Sequence, residues 1–166
     1  MERINMSRLA AIPSAPNTSV AQRVVHTDAG LAQLVLRVPA GIVFLAHGAQ
    51  KLFGAFGGYG LEGTGQWMES IGLFPGYWMA LLAGGAEFFG GLALILGLLV
   101  RPAALLLAIT MVVAIVQVHL ANGLFMAKNG FEFGLSLLAI SIALLLAGGG
   151  GYSFDRLLDK KLADQS

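Results

Sequence analysis

The chain has 166 residues, of which 57% are hydrophobic and only 11% charged, with a mean hydropathy of +0.78. Soluble domains typically carry about 25% charged residues to cover a watery surface, so most of this chain is expected to have lipid as its solvent. A net charge of +1 argues against a nucleic-acid face, and the lack of cysteine excludes disulfides, thiolate metal sites and cysteine-ligated iron–sulfur clusters made by this chain.

Residues 1–28 are polar and irregular, with Pro13, Pro16 and a scatter of Ser, Thr and Asn. They lack the apolar core of a secretory signal and read as a flexible cytoplasmic tail. Four apolar stretches follow, over about 31–51, 76–100, 102–121 and 131–150, each near the roughly 20 residues that carry a helix across a bilayer. They are continuously apolar, so they read as helices; barrel strands would alternate. The expectation is an all-α integral membrane four-helix bundle over residues 29–152.

Val100-Arg101-Pro102 separates the second and third stretches and reads as a tight hairpin, with Pro102 in a first helical turn. Between the first and second stretches lies a long outer loop. Its segment TGQWMESIG predicts a short interfacial helix capped by Thr64, with Trp67, Met68 and Ile71 on lipid. Residues 153–166 form a short cytoplasmic amphipathic tail, with Ser153 as an N-cap and Asp155 in the first turn. Leu157, Leu158 and Leu162 would rest on the inner leaflet.

If four helices cross in sequence, Arg3, Arg8, Arg23, Arg101, Arg156, Lys160 and Lys161 fall on one side and only Lys51 and Lys128 flank the other. The positive-inside bias then puts both termini in the cytoplasm and the protein in the cell's inner, or plasma, membrane.

Ionisable groups within apolar spans are functional candidates, because each costs about 2.5–3.5 kcal/mol at the helix centre on insertion scales. The candidates for ligand binding are His47, Lys51, Glu87, Gln117, His119 and Glu132, with Arg37 inside the first span. At about 100° per residue, Gln33, Arg37, His47 and Lys51 share one face roughly 80° wide, bordered by Gly41 and Gly48. That face points into the bundle. Glu87, in the small-residue run AGGAEFFGG, lies near mid-membrane, and an Arg37–Glu87 ion pair is expected because a lone charge there would be costly. Lys51 reads as a surface anchor whose ammonium snorkels outward, while His47 is expected to turn towards Glu87's side of the bundle. Gln117 continues a small or polar stripe with Ala103, Thr110 and Ala114. His119 lies about 200° from Gln117, which disfavours haem held between His47 and His119. Glu132 sits at the mouth of the fourth helix, where a carboxylate favours the helix dipole.

No catalytic residue is assigned, since no metalloprotease, nucleophile-elbow, P-loop or dinucleotide motif occurs, and no metal site is read.

In combination, LRVPAGIVFLAHGAQKLFG, GLFPGYWMALLAGGAEFFGGLALILGLLVRPAAL, VHLANGLFMAKNGFEFGLSLLAI and AGGGGYSFD, spanning roughly residues 30–156, resemble the DoxX family of small four-helix membrane proteins. The resemblance implies a bundle whose characteristic polar positions match His47, Lys51, Glu87, His119 and Glu132. It also implies a membrane component of a redox system, in the manner of subunits associated with thiosulfate:quinone oxidoreductase. The leading expectation is a subunit that binds a quinone or another flat, lipid-soluble molecule in the outer half of the bundle. Its electrons would come from a redox partner protein. A small-molecule or proton transporter, for which a homo-oligomer is expected, and a scaffold or assembly factor are the alternatives.

Overall fold

The computed structural model describes residues 30–163, and the tail read over residues 1–28 lies outside them. The described residues are all-helical. The helices are α1 (Ala32–Phe53), α2 (Gly60–Ser70), α3 (Gly76–Leu96), α4 (Val100–Ala114), α5 (Glu132–Ala147) and α6 (Phe154–Ala163). Helix α4 runs on through a π-helical turn, Ile115–His119, and a 3-10 turn, Leu120–Asn122. Helices α1, α3 and the extended α4 are long and apolar enough to cross a membrane. Helix α5 is equally apolar but has 16 residues, about 24 Å at 1.5 Å per residue.

Apolar burial gives little drive to helix association in lipid; close backbone approach takes its place. Helices α1 and α3 lie antiparallel and meet through glycines. A Cβ at Gly91 would stand 2.6 Å from the Gly41 carbonyl oxygen, and one at Gly48 would stand 2.8 Å from that of Gly84. No side chain larger than hydrogen fits at these crossings without parting the helices.

Long-range caps close the helix ends. Helix α3 stops at Gly97 in the left-handed conformation (φ 70°), with Leu98 N–H donating to Ala93 O. Helix α4 begins two residues before Pro102, as a first-turn proline allows, but it has no local side-chain cap. Its first amides are taken instead by Asp155, whose carboxylate accepts from Leu99 N (2.7 Å) and Val100 N (2.9 Å). Ser153 is the N-cap of α6, accepting from Arg156 N at 3.2 Å. The residue read as a freely resting tail's first turn therefore latches α6 to the α3–α4 turn.

Helix α2 also differs from its expected form. It starts at Gly60, four residues before Thr64, and it packs against α3 rather than lying on the lipid surface. Thr64, Gly65 and Met68 are buried. Thr64 Oγ1 donates to Lys51 O at 3.4 Å rather than capping the helix.

The apolar core formed by Phe44, Leu94, Val100, Leu107, Leu137 and Leu144 fills the half of the bundle nearer α6. The half nearer α2 is left partly hollow.

Candidate functional site

Helix α1 brings two basic side chains towards α3, and the direction of a helical side chain decides where each goes. In the glycine register, where Gly48 meets Gly84 and Phe88, Glu87 of α3 lies level with Gly48 of α1, eleven residues from Arg37 and three from Lys51. Those separations are about 16 Å and 4.5 Å along the axis. Helical side chains lean towards their helix's N-terminus. Lys51 therefore leans towards Glu87, and Arg37 leans away from it.

The Lys51 ammonium donates to Glu87 Oε2 at 2.5 Å, with the lysine side chain 24% and the carboxylate side chain 4% exposed. Lys51 is thus not an outward-snorkelling anchor. The ion pair expected between Arg37 and Glu87 does not form. Arg37, 2% exposed, spends its guanidinium on carbonyls at the C-terminus of α3. It donates to Leu94 O (2.7 Å) and Ile95 O (2.8 Å), and also to Tyr152 O. A guanidinium suits that position, because the last carbonyls of a helix lack intrahelical partners and carry its negative pole.

Lys51 and Glu87 line a cavity of about 570 Å³ between α3 and α4, roofed by Trp67 and Met68 of α2. Its walls are mostly apolar. Leu82, Leu106 and Ile109 line it and are themselves 53–64% exposed, so it opens sideways between the two helices. Gln117 and His119 line the same cavity, together with Thr110 and Asn129.

The placement of His119 follows from the π-helical turn, whose wider spacing breaks the 100° phase used to set it opposite Gln117. His119 Nδ1 donates to Asn129 O at 2.9 Å, because a carbonyl oxygen can only accept. In the neutral form of the ring, Nε2 is then an acceptor. Asn122 Nδ2 donates to the same carbonyl at 3.2 Å.

Four of the six candidate ligand residues thus share one cavity, and two do not. His47 packs against Phe133, with ring centroids 6.4 Å apart, and does not turn to Glu87's cavity. Glu132 Oε1 accepts from Met126 N at 2.6 Å and closes the loop before α5. Asn129 and the α2 roof went unread in the sequence. The Lys-Asn-Gly run marks a turn, and Asn129 is left-handed (φ 60°), but nothing local shows that its carbonyl meets His119. Among the described residues, no group of three His, Cys, Asp or Glu side chains is arranged to hold a metal ion.

The DoxX family model matches residues 32–120, which contain α1 to α4 and most of the cavity. Over 111 residues the chain is 39% identical to "Putative oxidoreductase CatD" of Bacillus subtilis (strain 168), covering 67% of this chain and 76% of that one. It is 38% identical over 134 residues to the inner membrane protein YqjF of Escherichia coli (strain K12), covering 77% and 92%. The membrane protein Rv3486 of Mycobacterium tuberculosis is 35% identical over 163 residues, 92% of this chain and 93% of its own. No solved structure gives a significant match.

Proposed function

This chain belongs to the DoxX family of membrane proteins, and from that premise we propose that it is a membrane subunit of a redox system that binds a quinone-like ring in the α2-side cavity. The observation that carries the reading is the Lys51–Glu87 pair set in the wall of an apolar cavity that opens sideways. A sideways opening between spanning helices admits a molecule dissolved in lipid. The volume suits a small ring compound, since ligand cavities typically hold about 300–1,000 Å³.

The donor set fits a quinone. Lys51 offers an ammonium and Gln117 an amide to ring oxygens, and the apolar walls contact the ring faces. A bound quinone supplies the capacity to take up two electrons and two protons. The hydrogen bond from Lys51 to Glu87 holds a proton beside the cavity, and His119 contributes a ring nitrogen to the lining. Electrons come from a partner protein, consistent with the word oxidoreductase in the name of the Bacillus relative.

The positive-inside bias of the basic residues supports a reading in which the α6 end and both termini are cytoplasmic and the cavity lies in the outer half of the inner membrane. The inner-membrane designation of the Escherichia coli relative supports that location. A transporter needs polar groups along the whole path across the bilayer. Arg37, at the inner end, is engaged by carbonyls, which weighs against a continuous path.

Trp67 lines the cavity, so a short-chain quinone titrated into purified protein should quench its fluorescence saturably. A Trp67→Phe variant, keeping Trp78, should lose that saturable component. Linear quenching in both proteins would reject a quinone site.

A further inference from the structure

We propose that the groove at the α6 end, between the α3–α4 turn and the glycine-rich turn 148–151, binds the headgroup of an anionic phospholipid. This site lies at the opposite end of the bundle from the α2-side cavity and does not depend on it.

The groove has a volume of about 710 Å³, and Arg101 and Arg156 line it. Asp155 and Asp159 line it too, so the charges must be accounted for one by one. Asp155 is occupied by two backbone amides, Leu99 N and Val100 N, where it offsets the positive pole of α4. Asp159 pairs with Arg156 at 3.1 Å on an exposed surface. Arg101 has no ion-pair or hydrogen-bond partner among the described residues. The groove's lining is formally neutral, but it presents one guanidinium without a direct partner, whose planar fork matches phosphate oxygens.

The opposite wall is shaped to admit that group. Gly148 is left-handed (φ 79°), and a Cβ there would stand 3.3 Å from Arg101 Nε. A side chain at residue 148 would crowd the guanidinium, whereas glycine leaves it room to face an anion. The surface beyond the groove is what distinguishes a lipid from a free phosphate. Leu105, one helical turn along α4 from Arg101, is 46% exposed, and Leu146, beside the groove on α5, is 71% exposed. A phosphate on Arg101 would thus have an apolar surface beside it for acyl chains.

The test is native mass spectrometry of the detergent-solubilised full chain, mixed with phosphatidylglycerol or phosphatidylcholine of matched acyl chains. Wild type should retain phosphatidylglycerol about fivefold better, the factor one basic residue contributes near an anionic surface. Arg101→Gln should lose that preference. Lys128→Gln, altered in the loop before α5 at the other end of the bundle, should keep it. Equal retention of the two lipids by wild type would overturn the proposal, independently of how any variant folds. So would an undiminished preference in Arg101→Gln, or complete displacement of the lipid by millimolar inorganic phosphate, which would mark a site for the free anion.

Discussion

The Lys51 ammonium and the Glu87 carboxylate meet at 2.5 Å across the α1–α3 seam, directly beneath the crossing of Gly48 with Gly84. With the carboxylate side chain 4% exposed, neither charge can be removed alone without stranding the other. Lys51→Met should therefore destabilise the bundle by about 3–5 kcal/mol, the usual cost of breaking a buried pair. The double variant Lys51→Met/Glu87→Met should recover much of that loss. Unfolding titrations in mixed micelles of the two single variants and the double variant measure the coupling. Additive losses would contradict the pair.

Arg37 provides the contrasting cycle. Its guanidinium is held by the carbonyls of Leu94, Ile95 and Tyr152, not by Glu87. Arg37→Met and Glu87→Gln should add to within about 0.5 kcal/mol, as independent sites do. Arg37→Lys should itself be destabilising, because a point-like ammonium cannot reproduce a planar fork spread over several carbonyls. Strong coupling between positions 37 and 87 would restore the ion pair that the sequence suggests.

These two positions show how far the sequence could be read. The apolar runs, the hairpin before Pro102, the Ser153 cap and the burial of Arg37, Gly41 and Gly48 all follow from composition, periodicity and local cap chemistry, whereas His47 of the same stripe is exposed. Partner choice did not. Counting depth from the ends of the apolar runs makes Arg37 the partner of a mid-membrane Glu87. The glycine crossings instead set Glu87 level with Gly48, within a turn of Lys51, and the lean of helical side chains towards the N-terminus carries Lys51 to it and Arg37 away. His119 escaped for a related reason, since a π-helical turn is invisible to a fixed 100° count. The cap on α4 comes from Asp155, more than fifty residues downstream, and no local signal announces it.

Helix α1 and helix α3 approach through their glycines, which gives a matched pair of substitutions. Gly91→Ala places a methyl 2.6 Å from Gly41 O, while Gly85 has open space where a Cβ would go. Gly91→Ala should lower stability by about 1–3 kcal/mol through overpacking. Gly85→Ala should be neutral or slightly stabilising, given the higher helix propensity of alanine. Thermal unfolding in detergent compares them, and equal behaviour would deny the close crossing.

Asp155 fastens α6 to the start of α4. Asp155→Ala removes acceptors for two amides and should lower stability by about 1–2 kcal/mol, in the range for a lost helix cap. The exposed Arg156, Lys160 and Lys161 should then be cleaved faster by trypsin. Hydrogen exchange at Leu99 and Val100 should rise in parallel. Unchanged exchange there would mean that the latch does not hold in solution.

The division of the candidate residues between the cavity and its surroundings predicts a division in ligand affinity. His119→Ala and Gln117→Ala should each weaken saturable quenching of Trp67 by a short-chain quinone several-fold, by about 1 kcal/mol for a lost hydrogen bond. His47→Ala and Glu132→Gln should leave it within about twofold, because neither lines the cavity. A His47 effect as large as that of His119 would move the site to the α1–α5 seam.

The most direct test of a ring ligand beside the Lys51–Glu87 pair is mass spectrometry of small molecules extracted from gently purified protein. Glu87→Gln, prepared identically, is the control. A quinone or related ring compound, near-stoichiometric in wild type and depleted in Glu87→Gln, is the expected result. Bulk lipid alone in both preparations would contradict a stable quinone site in this cavity.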